Sequence, residues 1–338
     1  MKFKWLFLSI VVFPVLLFSS FDVKAVEKEG MPYSVQAVLP ENQLNSSSTY
    51  FDIKVKPGQQ QNLTLKVINN STKPLKIKIT PKTARTSSQG HIDYSGNKQN
   101  QLTTALPYSV EKLLSKPQLV TLDKQQTKQV SFTMKIPKNR FQGVLLGGFT
   151  IEEVKPNESE SVQDGIQIKN KYAYNIGLKI RQDKTTPPDF KFAKAELLKW
   201  NDRFAIGGHL INTTASIVSD YRLSGRIIYQ KKNKVVHRLE ERSFSMAPNS
   251  TFMFPVNLRE SELPAGKYKY EIQIQQGKKT WQLATTFTIT GKDKRAIGSQ
   301  LPLENGGNWM LYIFGTIIIV LLAVSFFIGW LYWRRRKK

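Results

Sequence analysis

The residues able to do chemistry are few and scattered. The chain has three histidines, His91, His209 and His237, and no cysteine. None of the histidines has a neighbour at metal-ligand spacing, and without cysteine a zinc site would have to be built from carboxylates. No Gly-x-Ser-x-Gly elbow occurs. Residues 141–149, Phe-Gln-Gly-Val-Leu-Leu-Gly-Gly-Phe, have the glycine content of a phosphate loop but lack its lysine and hydroxyl residue, and no helical pattern follows. They read better as a buried strand in which Gly143, Gly147 and Gly148 let another backbone approach. Near the C-terminus, Leu301-Pro302-Leu303-Glu304-Asn305 has the opening of a sorting-transpeptidase motif but not the Thr-Gly pair that such an enzyme cuts. These observations predict a protein that is not an enzyme and carries neither metal nor cofactor.

The elements that must position any site are strands. Phe51, Ile53 and Val55 alternate with polar residues, as do Leu63, Leu65 and Val67, then Leu75, Ile77 and Ile79, then Val130, Phe132, Met134 and Ile136. A period of two with one polar face means antiparallel strands packed on one side. The breaks carry turn chemistry: Lys56-Pro57-Gly58, Asn69-Asn70-Ser71 and Pro137-Lys138-Asn139. Further strands are expected at 172–180, 190–198, 204–211, 221–229, 252–258, 268–274 and 281–289. Between them, Pro187-Pro188 among polar residues reads as a stiff linker, and 155–163 as an exposed loop. The pattern predicts an all-β fold of two tandem immunoglobulin-like β-sandwiches, at 26–183 and 184–290.

The two ends address a membrane. Lys2 and Lys4 precede an apolar run, with Ala25 at the expected cut, so 1–25 reads as a signal peptide. Residues 310–331 hold no charge; at about 1.5 Å per residue they span about 33 Å, against a hydrocarbon core of about 30 Å. Trp309, Trp330 and Trp333 flank this run, and Arg334 to Lys338 follow it. The expectation is a polar tether at 291–308, a transmembrane helix at 309–333 and a basic cytoplasmic tail at 334–338, with the N-terminal side outside. A net charge of +25 would suit nucleic acid, but this topology points instead to the anionic polymers of a cell wall. The absence of cysteine favours a bacterial exporter that does not rely on disulfides.

Residues 50–59, Tyr-Phe-Asp-Ile-Lys-Val-Lys-Pro-Gly-Gln, with 63–69, 91–95, 141–149 and 170–178 in the same order, resemble the WxL-interacting proteins, a Gram-positive surface family. The resemblance implies a first domain that binds peptidoglycan and a second that engages WxL-domain surface proteins or host extracellular matrix proteins. Sugar sites commonly use aromatic faces, which makes Tyr50, Tyr94 and Tyr108 candidates in the first domain. Aromatics are common interface anchors, which makes Trp200, Tyr229 and Trp281 candidates in the second, alongside the exposed-looking Tyr221 and Tyr268. The competing function is an extracytoplasmic chaperone-like adaptor that completes a partner's sheet by strand addition.

Overall fold

The computed structural model describes residues 31–97, 101–154, 173–182, 186–258, 263–301 and 309–335. The expected signal peptide, the 155–163 loop, the Leu-Pro motif beyond Leu301 and the last three basic residues lie outside these. The chain is mostly β, with one long apolar helix at its C-terminal end.

The first half runs β1 (Tyr33–Val38), β2 (Phe51–Lys54), β3 (Gln60–Asn69), β4 (Leu75–Thr83), β5 (Arg85–Thr86), β6 (Ile92–Asp93), the short α1 (Val110–Leu113), β7 (Gln118–Leu122), β8 (Thr127–Lys135), β9 (Val144–Glu153) and β10 (Ala173–Arg181). Two sheets, ordered β1-β3-β8 and β2-β10-β9-β4-β7, enclose one core. Alternation decides which residues enter it: Leu63, Leu65 and Val67 are fully buried, whereas Asn62, Thr64 and Lys66 face out. Phe149 sits at its centre, 4.9 Å from Phe132 and 6.1 Å from Phe51. Fully burying one such ring contributes about 1.5–3 kcal/mol. β10 lies between β9, its antiparallel partner, and β2, with which it pairs in parallel from Leu178↔Phe51 to Arg181↔Lys54.

The second half runs β11 (Phe190–Trp200), β12 (Arg203–Asn212), β13 (Val218–Tyr229), β14 (Lys234–Met246), β15 (Thr251–Asn257), β16 (Gly266–Gln276) and β17 (Lys279–Ile289). Its sheets are ordered β11-β12-β15 and β14-β13-β16-β17. The two-residue turn between β11 and β12 places Asn201 and Asp202 at φ 48° and 55°, the left-handed pair that fits the twist of a tight hairpin. The core is aromatic: Phe190, Phe192, Tyr221, Phe244, Phe252, Phe254, Tyr268 and Tyr270 are all buried in it.

The start of the segment expected as a tether is helical. In α2 (Gly291–Gly298), Thr290 Oγ1 accepts from the Asp293 N–H at 3.1 Å and the Asp293 carboxylate accepts from the Thr290 N–H at 2.8 Å. This capping box satisfies two terminal donors, and Ile297 and Leu301 pack back onto the second core. α3 (Trp309–Arg335) contains the one helix among the described residues long and apolar enough to cross a membrane, Ile313–Arg335.

The halves are joined by more than the linker. Ala84, Val144, Leu146 and Ala247 form a small buried cluster with Ile92, Tyr94 and Ile217 against it. The Val144 N–H donates to Ala215 O at 2.7 Å, the Ala247 N–H to Thr86 Oγ1 at 3.0 Å, and the Thr103 N–H to Asn249 O at 2.8 Å. Thr86 and Ser250 exchange a buried hydroxyl contact of 2.5 Å.

Candidate functional site

The site is built on the outer face of the five-stranded sheet. Leu145, Phe149, Ile176, Leu178 and Ile180 point into the core, so by alternation Gly148 on β9 and Gly177 on β10 point out. They are register partners; Gly148 is covered, and the missing side chain at Gly177 leaves a hollow in the sheet surface. The resulting cleft has a volume of about 550 Å³ and is lined by Tyr50, Tyr94, Asn175, Gly177, Lys179 and, from the second half, Ile217. A Cβ on Gly177 would come 3.6 Å from Tyr50 Cβ, and one on Gly148 would come 3.2 Å from Tyr94 Cδ1. The two rings therefore lie against the bare glycine backbone.

Polar groups fix this arrangement. The Thr150 hydroxyl lies 2.9 Å from Tyr94 O and 3.1 Å from Asn175 Oδ1, tying the Tyr94 loop to both central strands. Gln43 holds the approach to Tyr50: its Nε2 donates to Tyr50 O at 3.0 Å and its Oε1 accepts from the Asp52 N–H at 3.0 Å. Asp52 is buried and takes both oxygens to Arg181, at 2.9 and 2.8 Å, with Lys179 Nζ 3.5 Å away. One carboxylate faces two cations, so this end of the cleft keeps positive charge. Burial pushes the Tyr94 hydroxyl above its ordinary 10.0, and the neighbouring Tyr50 pushes the same way. Tyr94 is thus a neutral phenol at physiological pH and able to donate a hydrogen bond.

Aromatic faces, an amide, an ammonium and a phenol around an open hollow suit stacking and hydrogen bonding to a polar ligand. Among the described residues no three of His, Cys, Asp and Glu come together as a metal cluster. His209 Nε2 sits 2.9 Å from Glu196 Oε1 on the β11–β12 surface, with Lys194 2.8 Å from the same oxygen. Burial, then Lys194, lowers the His209 imidazole below 6.5, and Glu196 only partly offsets this.

Of the first-domain candidates, Tyr50 and Tyr94 meet at the cleft, while Tyr108 lies elsewhere, packed on the first core with its ring 6.3 Å from Phe141. Gly58 occupies a turn at φ 73°, and Gly143 at φ 77° passes so close to the second half that a Cβ would lie 2.3 Å from Ala215 O. A Cβ on Gly147 would lie 2.4 Å from Lys82 O. The second-domain candidates do not form a surface. Tyr229 is buried, its hydroxyl donating to Ala265 O at 3.2 Å and its ring 5.2 Å from Tyr268. Tyr221 and Tyr268 are buried as well, which corrects their reading as exposed. Trp281 is half-buried against Phe190 and Tyr221, at 5.2 and 5.8 Å, and Trp200 is half-buried at the end of β11. The physical reason is parity: Tyr221 and Tyr229 share the inward side with Leu223 and Ile227. Sequence reasoning missed Asn175, Gly177, Lys179, Ile217 and Ser219 in the cleft lining.

Two family models match, and both describe binding domains: the WxL Interacting Protein peptidoglycan binding domain over 33–153 and the WxL Interacting Protein host binding domain over 163–298. Together they cover most of the chain, which belongs to the WxL-interacting protein family. The second model begins before β10, yet β10 is hydrogen-bonded within the first half. No curated protein matches the chain. Among solved structures, the chain is similar to the Escherichia coli chaperone DraB (14% identity, 75% of this chain and 98% of that one, TM-score 0.27). It is also similar to the Pseudomonas aeruginosa CupB2 chaperone (14%, 70% and 97%, 0.27) and to a PapD-like domain of human CEP192 (16%, 50% and 97%, 0.27).

Proposed function

We propose that the chain is a membrane-anchored surface binding protein of two immunoglobulin-like domains. Its first domain, residues 26–183, holds peptidoglycan in the Tyr50–Tyr94 cleft. The second, residues 184–290, binds a protein, either a WxL-type surface protein or a host matrix protein. α3 serves as the anchor, with the preceding domains outside and the basic C-terminus in the cytoplasm, in keeping with the positive-inside rule. The observation that carries the first assignment is the placement of two tyrosine rings beside the bare Gly177 floor, with Tyr94 packed on its register partner Gly148. Such a floor admits the flat apolar face of a sugar ring, and Asn175, Lys179 and the Tyr94 phenol line the same hollow for hydroxyl and carboxylate groups of a glycan or its stem peptide.

The test is sedimentation of the full chain in neutral detergent with sacculi stripped of teichoic acid, at low and high salt. Binding that survives both treatments is expected, since charge alone would be screened. One face of a Tyr ring offers about 60 Å² of the ~150–250 Å² that such a residue buries, worth about 1.5 kcal/mol or roughly tenfold in Kd. Tyr50→Ala is expected to lose about that factor, and Gly177→Val, which fills the hollow, at least as much. Failure of the wild type to sediment, or sedimentation of both variants like wild type, would overturn the assignment.

A further inference from the structure

Among the described strands β14 pairs with β13 alone and β15 with β12 alone, so the two lie at a corner of the second half without a ladder between them. Arg242 shares the inward side of β14 with Phe244 and Met246, and its guanidinium lies over Phe252 and Phe254 of β15, 5.5 and 5.7 Å from their centroids. Its Nε and Nη2 are buried and have no hydrogen-bond partner among the described residues. Behind it, Tyr270 is fully buried, with its ring 5.8 Å from Phe254 and 5.2 Å from Phe192, and its hydroxyl also lacks a partner. The adjacent Glu241 is taken by Arg222 at 3.0 Å, and Glu240 is exposed. Burial lowers the Arg242 guanidinium and raises the Tyr270 phenol.

A half-buried charge with closed-off donors is costly, because each unmet donor loses its hydration with nothing in return. The rings of Phe252 and Phe254 offset part of this by cation–π attraction but offer no acceptor to Nε and Nη2. Three unmet polar atoms around one corner leave their bonding open to an acceptor, which must part the closed seam to reach them. The same seam already gives its backbone donors to carbonyls from outside the second half at its other end. There the Ser245 N–H donates to Gly90 O at 2.7 Å and the Thr251 N–H to Gln101 O at 3.0 Å, both carbonyls coming from the first half. Gly90 lies so close that a Cβ would be 2.9 Å from the Phe252 ring.

We propose that the remainder of the β14–β15 seam binds an extended peptide segment bearing a carboxylate, with Arg242 as the anion receptor and the Tyr270 hydroxyl as a second donor. The site rests on the reading of the second half as a protein-binding module and names the chemistry that its partner must present. The carboxylate belongs to an acidic side chain or to a chain terminus.

The first probe is sodium acetate, compared with sodium chloride at equal ionic strength, on the thermal unfolding of the full chain in neutral detergent. Acetate is expected to raise Tm above the chloride value, because a ligand that binds only the folded state stabilises it by mass action. The acetate-specific rise should vanish in Arg242→Met and in Tyr270→Phe. Tyr270→Phe removes an unmet hydroxyl and nothing else, so it should be at least as stable as wild type in chloride, which separates lost binding from lost folding. The second probe is a blocked peptide of alternating Val and Thr in three forms: a central Glu, a central Gln, and the Gln form with a free C-terminal carboxylate. At least one acidic form should bind about tenfold more tightly than the neutral form, again lost in both variants, and the stronger of the two identifies the carboxylate's source. No acetate-specific rise, an equal rise in the variants, or acidic peptides no tighter than the Gln amide would overturn the site. If the chain still captured a surface protein while the site failed, the protein-binding reading would stand without it.

Discussion

Gly148 and Gly177 stand opposite each other in register, yet adding a methyl group to each should have opposite effects. At Gly177 the nearest atom to a new Cβ is Tyr50 Cβ at 3.6 Å, an ordinary contact, and the backbone is not left-handed. Gly177→Ala therefore only restricts the unfolded chain, which should stabilise the protein by about 0.5–1 kcal/mol. At Gly148 a Cβ would lie 2.6 Å from the Ile176 carbonyl oxygen and 3.2 Å from the Tyr94 ring. That oxygen belongs to the sheet and cannot step aside, so overpacking should cost about 1–3 kcal/mol. The two variants should differ by about 1.5–4 kcal/mol, or roughly 3–16 °C in Tm for a unit of this size. Thermal unfolding followed by circular dichroism reads the difference directly. Gly148→Ala as stable as wild type, or Gly177→Ala the less stable of the pair, would refute the geometry on which the cleft floor rests.

Two further outcomes test the frame around the cleft. Gly143→Ala places a side chain at φ 77° and 2.3 Å from Ala215 O. It should break the Val144–Ala215 hydrogen bond, cost at least about 1–2 kcal/mol from the left-handed backbone alone, and weaken sacculus binding by shifting Ile217. His209 resists protonation in the folded state, so the unfolded chain takes up the proton first. Its contribution is intact above about pH 6.5 and is lost as pH falls below it. Urea midpoints at about pH 8 and about pH 5 should converge in His209→Gln relative to wild type, whereas an unchanged pH dependence would show that this imidazole is not responsible.

Much of the fold was legible because alternation is a direct record of which side chains meet the core. The runs around Leu63–Val67 and Tyr268–Ile274 could hardly be anything but strands. β14 escaped notice because Lys234-Val235-Val236-His237-Arg238-Leu239-Glu240-Glu241 mixes charge into both faces of an edge strand, and bulges opposite β13 break its period. Helix α2 escaped because Gly291 and a run of charges resemble a linker, although Thr290 and Asp293 were a readable capping box. Tyr50 and Tyr94 were nameable by type, but their convergence needs a register between β9 and β10 that no local pattern records. Parity was available for Tyr229, which has the same side as Leu223 and Ile227, and equally for Arg242, whose side is that of Phe244 and Met246.

The position of β10 has a consequence for how the chain comes into being. A polypeptide emerges from its N-terminus, and β2 and β9 are complete long before Arg181 appears. Until then the strand that must stand between them is missing, and both present unpaired backbone to whatever is near. The five-stranded sheet is complete only when Leu178–Arg181 has joined Phe51–Lys54. A fragment ending where the first family model ends would never reach that event, so any isolated first domain must carry the chain through at least Gln182.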